Sequence, residues 1–248
     1  MRQAGRERLD KILVDRGLVT SRERARRIVM AGEVFVEQQR IDKPGALVAL
    51  GAAIEVRGGD IPFVSRGGLK LDAALRAWPI AVRGCEALDV GASTGGWTDC
   101  LLQHGARHVS AVDVGYGQFA WSLRNDPRVT LFERANIRTC TPPFDEVPVL
   151  AVIDVSFISL RLVLPRVVEL VAPVATIIAL VKPQFEVGKG QVGKGGVVRD
   201  PVLHRAAVAG VRACAEALGL RCNGELESPV RGPAGNREFL LWLEKGSL

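Results

Sequence analysis

The chain has 248 residues, of which 48% are hydrophobic and 24% are charged. This composition is typical of a folded globular protein and excludes a mainly disordered chain. The longest mostly apolar stretch, Leu170 to Val181, has 12 residues and contains Pro173, whereas a bilayer span needs about 20. The first eight residues lack the apolar segment of a signal peptide. We therefore expect a cytoplasmic protein with no membrane partner.

The positive charge is concentrated at the start of the chain. Residues 1–70 contain 14 Lys and Arg against 9 Asp and Glu, while the remaining 178 residues contain 19 against 18. This asymmetry indicates a basic module attached to a neutral one, and basic modules commonly bind polyanions. A solvated basic surface without a specific partner is the alternative.

The cysteines and histidines do not form a recognisable pattern. The chain has five cysteines, without a Cys-x-x-Cys pair, and three histidines. We therefore expect reduced thiols and no metal site. The cysteines are Cys85, Cys100, Cys140, Cys214 and Cys222.

The basic module is predicted to contain two short helices followed by short strands. The apolar spacing in residues 9–18 and the glycine near its end favour a first helix. A capping box of Thr20 and Glu23 predicts the start of a second helix, which runs to Met30. Val34–Val36 and residues 53–56 are typical of strands, and the turn that joins them is expected near residues 42–45.

Residues 6–60 resemble the αL-type RNA-binding domain of a small-subunit ribosomal protein, of pseudouridine synthases and of tyrosyl-tRNA synthetases. The segments that carry the resemblance are Arg8-Leu9-Asp10, residues 21–25 and residues 32–36. A domain that only increases solubility is the alternative. The resemblance implies that four arginines contact RNA phosphates: Arg8, Arg22, Arg26 and Arg27.

From residue 86 onwards, strand and helix patterns alternate. This alternation predicts an α/β fold, a Rossmann-like doubly wound sheet with ligands at the carboxyl ends of its strands. A terminal hairpin is expected around Leu226 and residues 239–243. The other predicted strands are 86–90, 108–113, 129–133, 149–154 and 176–181, and the predicted helices are 97–103, 160–171 and 201–218.

A glycine-rich turn, residues 91–96, follows the first of these strands. Glycines let the backbone approach a ligand, and the following helix offers free N–H groups. The turn lacks the middle glycine of the dinucleotide fingerprint, and its looser spacing is common at S-adenosylmethionine sites. Asp113 ends the next strand, where a carboxylate can accept a hydrogen bond from a ribose of either cofactor. The expected cofactor contacts are Gly91, Ser93, Thr94, Gly95, Gly96 and Asp113.

Four charged residues lie at the predicted boundaries of the sheet. Lys70 precedes the sheet, and Asp154 and Lys182 end the fourth and fifth strands. Glu238 stands at the entry to the last strand. Placing a charged side chain directly after an apolar strand costs free energy unless it has a partner, so such a residue either is paired or has a functional role. A structural ion pair would explain any two of these residues but accounts poorly for all four.

Residues 63–248 resemble the TlyA-type members of the FtsJ-like RNA ribose 2′-O-methyltransferases, proteins also labelled haemolysin A. The resemblance implies a Rossmann-like methyltransferase domain at 65–248, a linker at 61–64 and an RNA-binding domain at 1–60. The segments that carry it are 65–71, 89–96, 113–118, 154–160, 181–186 and 232–236.

The resemblance also implies the chemistry. In the superfamily a Lys-Asp-Lys-Glu tetrad carries the reaction, and Lys70, Asp154, Lys182 and Glu238 match it in order. A ribose 2′-oxygen is expected to displace the sulfonium methyl of S-adenosylmethionine in line. Lys182 either removes the hydroxyl proton or stabilises negative charge, Asp154 and Glu238 orient it, and Lys70 completes the charge network.

The resemblance also implies further contacts to the cofactor and to RNA, and it implies the substrate. Asn136 stands where many relatives carry an acid near the adenine, Asp154 also contacts the cofactor, and Arg66 contacts RNA. The implied substrates are cytidine riboses in the rRNA of one or both ribosomal subunits. The alternatives are a non-catalytic RNA-binding or ribosome-assembly protein, a membrane-active haemolysin and an NAD(P)-dependent dehydrogenase.

Overall fold

A computed structural model describes residues 5–19, 21–56, 61–140 and 142–246. The chain divides into two compact units, Met1–Ile61 and Pro62–Leu248. Among the helices described, none combines the length and apolar character that crossing a bilayer requires.

Unit 1 contains two short helices and five short strands in its described residues. β1 pairs with β4, and β2 pairs with β3 on one side and β5 on the other, all antiparallel. Apolar side chains of α1 and α2 form the core together with residues such as Val34 and Val48. The elements are β1 (Arg6–Arg8), α1 (Leu9–Asp15), α2 (Arg22–Met30), β2 (Val34–Val36), β3 (Gln39–Ile41), β4 (Leu47–Ala49) and β5 (Ile54–Val56).

Unit 1 differs from the prediction in its small strands and in one cap. β1, β3 and β4 were not predicted. β1 and β3 consist mainly of polar residues, and β3 and β4 flank the expected turn at 42–45. The turn between β2 and β3 uses Glu37 and Gln38 with φ of 48° and 66°, a conformation for which Asn-Gly is the usual sequence signal. Ser21 caps α2 by accepting a hydrogen bond from the Arg24 N–H (3.2 Å). The predicted cap Thr20 lies outside the described residues.

Unit 2 is built on a seven-stranded sheet in the order β11-β12-β10-β9-β6-β7-β8. β6 to β10 are parallel, and β12 runs antiparallel to both of its neighbours. The strands are β6 (Glu86–Val90), β7 (His108–Val112), β8 (Val129–Phe132), β9 (Leu150–Ile153), β10 (Ala175–Val181), β11 (Leu220–Glu227) and β12 (Phe239–Lys245). The helices are α3 (Gly67–Ala77), α4 (Gly96–Gln103), α5 (Trp121–Arg124), α6 (Leu164–Leu170), α7 (Pro183–Glu186) and α8 (Pro201–Ala217).

The strand order places a crevice beside β6. The chain passes from β6 outward to β7 and β8 and then returns to β9, on the other side of β6. This reversal opens a crevice at the carboxyl ends of β6 and β9, where doubly wound sheets bind their ligands. The predicted Rossmann-like sheet is confirmed.

The central strands are buried on both faces. Leu88, Ile153 and Ile177 belong to a core cluster that also contains residues of α6 and α8. Successive strand residues point to opposite faces, and their neighbours Val152 and Ile178 are equally buried. On the other face, α4 contacts β6 and β7 and lies against α3. Because helices cover both faces of the sheet, the central strands have continuous apolar sequences and no alternation of polar and apolar residues.

Four helical regions differ from the prediction. The expected helix at 160–171 is a 3₁₀ turn, Leu160–Leu162, followed by α6. Pro165 stands in the first turn of α6 and supplies no N–H to the preceding turn. α3 was not predicted, because Gly67 and Gly68 at its start are poor helix formers. α5 and α7 have four residues each and were also missed.

Candidate active site

A cavity of about 440 Å³ lies at the carboxyl ends of β6, β7 and β9. This volume suits a small-molecule cofactor. Five of the predicted cofactor residues line it: Gly91, Ser93, Asp113, Asn136 and Asp154.

The turn after β6 brings the backbones of two loops into contact. Gly91 has φ of +86°, and a Cβ atom at this position would overlap the carbonyl oxygen of Asp154. The backbone N–H of Asp154 donates to the Val90 carbonyl (2.9 Å). Only glycine fits here, since any side chain would separate the two loops that form the cavity.

Asp113 ties the cavity loops together. Its carboxylate accepts hydrogen bonds from the backbone N–H groups of Ser93 (2.7 Å) and Gly115 (2.6 Å). Gln118 Nε2 also donates to Asp113 Oδ1 (3.4 Å). A carboxylate has about four acceptor positions, so one remains for a ribose hydroxyl. On another wall, the Oδ1 atom of Asn136 accepts from the Arg138 N–H (3.1 Å).

Three predicted cofactor residues lie outside this lining. Thr94 accepts a hydrogen bond through its carbonyl from the Ala120 N–H (3.1 Å). A Cβ atom on Gly95 would reach within 3.0 Å of the Phe119 ring, and one on Gly96 would overlap the hydroxyl of Ser65. The latter two glycines therefore permit close packing around α4.

The four predicted catalytic residues form one continuous cluster. Lys182 Nζ lies 2.6 Å from Asp154 Oδ1, and Lys70 Nζ lies 3.9 Å from Asp154 Oδ2. Lys70 Nζ also donates to Glu238 Oε2 at 2.6 Å. Lys70, Lys182 and Glu238 are at most 8% exposed. The structure thus brings together two amines and two carboxylates that alternate in sign.

The register of the sheet explains why Lys182 and Glu238 approach the same place. Val181, the last residue of β10, pairs with Phe239, the first residue of β12. Lys182 follows Val181 and Glu238 precedes Phe239, so both residues lie one position beyond this pair. Because β12 is antiparallel, the start of this strand lies at the carboxyl edge of the parallel strands.

Asp89 lies beneath this edge and was not predicted to have a role. Its side chain is fully buried, and its Oδ2 atom accepts a hydrogen bond from Thr98 Oγ1 (2.6 Å). Burial raises the pKa of Asp89 to about 7, and the negative charge of Asp154 acts in the same direction. Strand position alone does not reveal this effect, because it depends on the helices that cover the sheet.

The loop after Asp154 and the short helix α7 carry residues to which the sequence analysis gave no individual role. Lys182 Nζ donates to the hydroxyl of Ser156 (2.8 Å). Glu186 accepts from Ser159 Oγ (2.6 Å) and from the Leu160 N–H (2.7 Å), and burial raises the pKa of Glu186. Phe157 lines the cavity with φ of +64° and a side chain that is 91% exposed.

In unit 1, three of the predicted RNA-contacting arginines surround one carboxylate. Asp10 is fully buried and lies 2.9 Å from Arg8, 3.4 Å from Arg22 and 3.3 Å from Arg26. The Arg8 guanidinium, followed by Arg26, holds the pKa of Asp10 well below its usual range. The guanidinium groups are half exposed, so a buried acid holds three cations at the surface.

The remaining two predicted arginines lie elsewhere. Arg27 is half-buried in the last turn of α2 and is not part of the Asp10 cluster. Arg66 is exposed in unit 2, directly before α3.

Asp72, Cys100 and His104 place potential metal-ligand atoms within 4.8 Å of one another. Their contacts are those of a structural cluster. Asp72 pairs with His104 (3.0 Å) and with Arg76 (2.8 Å). Burial strongly raises the pKa of the Cys100 thiol, which opposes the thiolate that a metal needs. All five cysteines are free.

The fold and the cavity define an S-adenosylmethionine-dependent methyltransferase. A family model described as FtsJ-like methyltransferase matches residues 63–245, and one described as S4 domain matches residues 7–54. The chain therefore belongs to the FtsJ-like methyltransferase family and carries an S4 domain. This membership confirms the expected enzyme class and its cofactor, S-adenosylmethionine. A dehydrogenase does not agree with this membership.

Relatives cover nearly the whole chain. The chain is 51% identical to the 16S/23S rRNA (cytidine-2′-O)-methyltransferase TlyA of Mycobacterium tuberculosis, over 97% of this chain and 90% of the relative. It is 38% identical to hemolysin A of Brachyspira hyodysenteriae, over 94% and 98% of the two chains. A solved structure from Streptococcus thermophilus, named provisionally as a hemolysin, is 43% identical with a TM-score of 0.77, over 98% and 90%.

Proposed function

We propose that this chain methylates the ribose 2′-hydroxyl of cytidines in ribosomal RNA. The observation that carries the proposal is the buried cluster of Lys182, Asp154, Lys70 and Glu238 at the edge of the cavity. The 51% identity to an rRNA (cytidine-2′-O)-methyltransferase supports the choice of substrate.

The cavity residues fit S-adenosylmethionine. Gly91 allows close approach of the backbone, Asp113 keeps a free acceptor position for a ribose hydroxyl, and Asn136 stands on another wall. Asp154 belongs both to this lining and to the charged cluster. When bound, the cofactor supplies an electrophilic methyl group. The protein's task is therefore to place a hydroxyl oxygen beside it.

Within the charged cluster, Lys182 is the group that acts on the substrate hydroxyl. A ribose hydroxyl is a weak nucleophile at neutral pH, and a nearby ammonium group stabilises negative charge on its oxygen. Asp154 and Ser156 fix the position of Lys182 Nζ. Glu238 and Lys70 hold Asp154 in turn, because Lys70 bridges the two carboxylates. This prearranged charge leaves little reorganisation for the reaction itself.

Unit 1 binds the RNA. Arg8, Arg22 and Arg26 present half-exposed guanidinium groups that a shared acid orders. Guanidinium groups form forked hydrogen bonds to phosphate oxygens. This surface positions the substrate without reading its sequence.

The direct test is Lys182→Ala, assayed by transfer of tritiated methyl groups to ribosomal subunits. We expect a loss of at least about 100-fold in kcat, with S-adenosylmethionine binding retained in calorimetry. Arg128→Ala, at the opposite edge of the sheet, is the matched control. Retained activity in the folded Lys182 variant would remove the assignment. Mapping methylated nucleotides in rRNA from cells with and without the gene then tests the cytidine target.

A further inference from the structure

A second cavity, of about 400 Å³, lies in unit 2 next to the segment that carries Glu238. Its wall includes Arg199, Arg231, Arg237 and His204. We call these four residues and the space they enclose the arginine pocket. It shares no lining residue with the cofactor cavity.

The arginine pocket has an excess of positive charge. Arg237 pairs with Glu227 on β11. Within the described ranges, Arg199 and Arg231 form no ion pair. The Arg237 guanidinium is the main cause that lowers the pKa of Glu227, and the charges of Arg231 and His204 add to it. One carboxylate therefore stands beside two guanidinium groups and an imidazole.

The start of α8 contributes a buried histidine to the wall of the pocket. α8 has 17 residues, and its first turn contains His204, which lines the pocket and is 3% exposed. The partial positive charge at the amino end of this helix is met by its own cap, because Asp200 Oδ1 accepts from the Val202 N–H (2.8 Å). Because a carbonyl can only accept, the Nε2–H of His204 must donate to the Val198 carbonyl (2.9 Å). Nδ1 is buried and has no partner among the residues that the structure describes.

The pocket is rigidly connected to the catalytic cluster. Asn236 is buried, its Oδ1 atom accepts from the Val198 N–H (2.9 Å), and its Nδ2 atom donates to the Gly196 carbonyl (2.9 Å). These bonds join the wall that carries Arg199 to the segment that carries Arg237 and Glu238. Arg237 is the chain neighbour of Glu238, so the two sites are adjacent.

From this placement we infer that the arginine pocket binds a backbone phosphate of the substrate RNA, next to the nucleotide whose ribose lies at Lys182. The inference rests on the proposed function. Guanidinium groups are the donors that phosphate oxygens prefer, because they form forked, charge-assisted hydrogen bonds. The two arginines without acidic partners provide the strongest contacts, because no ion pair has to break.

The test measures RNA binding and methyl transfer separately. Arg199→Gln and Arg231→Gln are compared with Arg128→Gln, a matched control that removes one exposed arginine at the opposite edge of the sheet. Binding of a fluorescent cytidine-containing RNA fragment is followed by anisotropy between 50 and about 200 mM KCl. We expect each pocket variant to weaken binding about tenfold and to reduce the slope of log K against log salt by about 0.7 to 0.9.

In methyl-transfer assays on ribosomal subunits, the pocket variants should raise KM about tenfold with a smaller effect on kcat. Unchanged S-adenosylmethionine binding in calorimetry shows that the fold is intact. A salt slope and a KM equal to those of Arg128→Gln would overturn the inference. So would binding of inorganic phosphate that depends on Arg199 and Arg231 while RNA binding does not. If wild-type protein binds RNA through the pocket but transfers no methyl group, the proposed function fails and the pocket stands.

Discussion

Lys70 and Glu238 are 168 positions apart in the chain, yet Nζ of the lysine lies 2.6 Å from Oε2 of the glutamate. The pair joins α3, at the start of unit 2, to the entry of β12, near its end. Both residues are buried, at 7% and 1% exposure. The charged cluster therefore depends on long-range packing and also contributes to it.

Replacing Glu238 with Gln should reduce both stability and catalysis. The change leaves a buried ammonium group with Asp154 as its remaining partner, and breaking a buried ion pair costs about 3 kcal/mol. Urea unfolding measures this free energy. Glu225→Gln breaks an exposed pair with Arg212 and should cost less than about 1 kcal/mol. Equal losses in the two variants would show that burial does not matter at Glu238.

Replacing Gly91 with Ala should destroy the cofactor site. The new Cβ would overlap the Asp154 carbonyl at a φ of +86°, which we expect to cost at least about 2 kcal/mol. Calorimetry should detect no S-adenosylmethionine binding. Gly210→Ala is the control, because it lies in α8 with open space around it and should stabilise the protein by about 0.5 to 1 kcal/mol. Normal cofactor affinity in Gly91→Ala would contradict the geometry.

Replacing Asp89 with Asn should change how stability depends on pH. The folded state keeps the Asp89 proton up to about pH 7, whereas the ordinary pKa is 3.8. The native state thus binds more protons between these values, and the contribution of Asp89 to stability falls as pH rises through this window. Unfolding at pH 5 and 7.5 should show Asp89→Asn gaining stability relative to wild type at the higher pH.

The control for this experiment is Asp126→Asn. Pairing with Arg128 lowers the pKa of Asp126, so its contribution is complete above its ordinary pKa and declines only as pH falls. Its stability difference from wild type should stay constant between pH 5 and 7.5. A constant difference for Asp89→Asn as well would mean that Asp89 is ionised in the folded protein.

Replacing Asp10 with Asn should loosen unit 1 and make it less sensitive to acid. The pKa of Asp10 is lowered by Arg8 and Arg26, so its stabilising effect is present above the ordinary carboxyl pKa and is lost as pH falls. Amide exchange in α1 and α2 should be faster in the variant at pH 7, and the difference should shrink in acid. Unchanged amide-exchange rates in Asp10→Asn at pH 7 would show that the Asp10 carboxylate does not stabilise unit 1 through these arginines.

The sequence predicted the parallel strands of unit 2 and all four charged residues of the cluster. It succeeded because buried strands have a simple apolar pattern and because Asp154 and Lys182 directly follow such strands. It missed α3, whose amino end contains two glycines that packing requires. It also missed the pKa of Asp89, Ser156 as a partner of Lys182, and the arginine pocket. These features depend on contacts between distant segments, which periodicity along the chain does not record.

The antiparallel direction of β12 limits the motion of Glu238, the last residue of the charged cluster along the chain. β12 lies between β10 and β11, and the carbonyl of Glu238 accepts a hydrogen bond from the Ser228 N–H (2.9 Å). A carboxylate that came from a free connecting loop would sample many orientations before each turnover. Here the backbone at Glu238 is hydrogen-bonded and leads directly into an interior strand. The conformational entropy of ordering this side chain is therefore lost when the protein folds, and not again in each turnover.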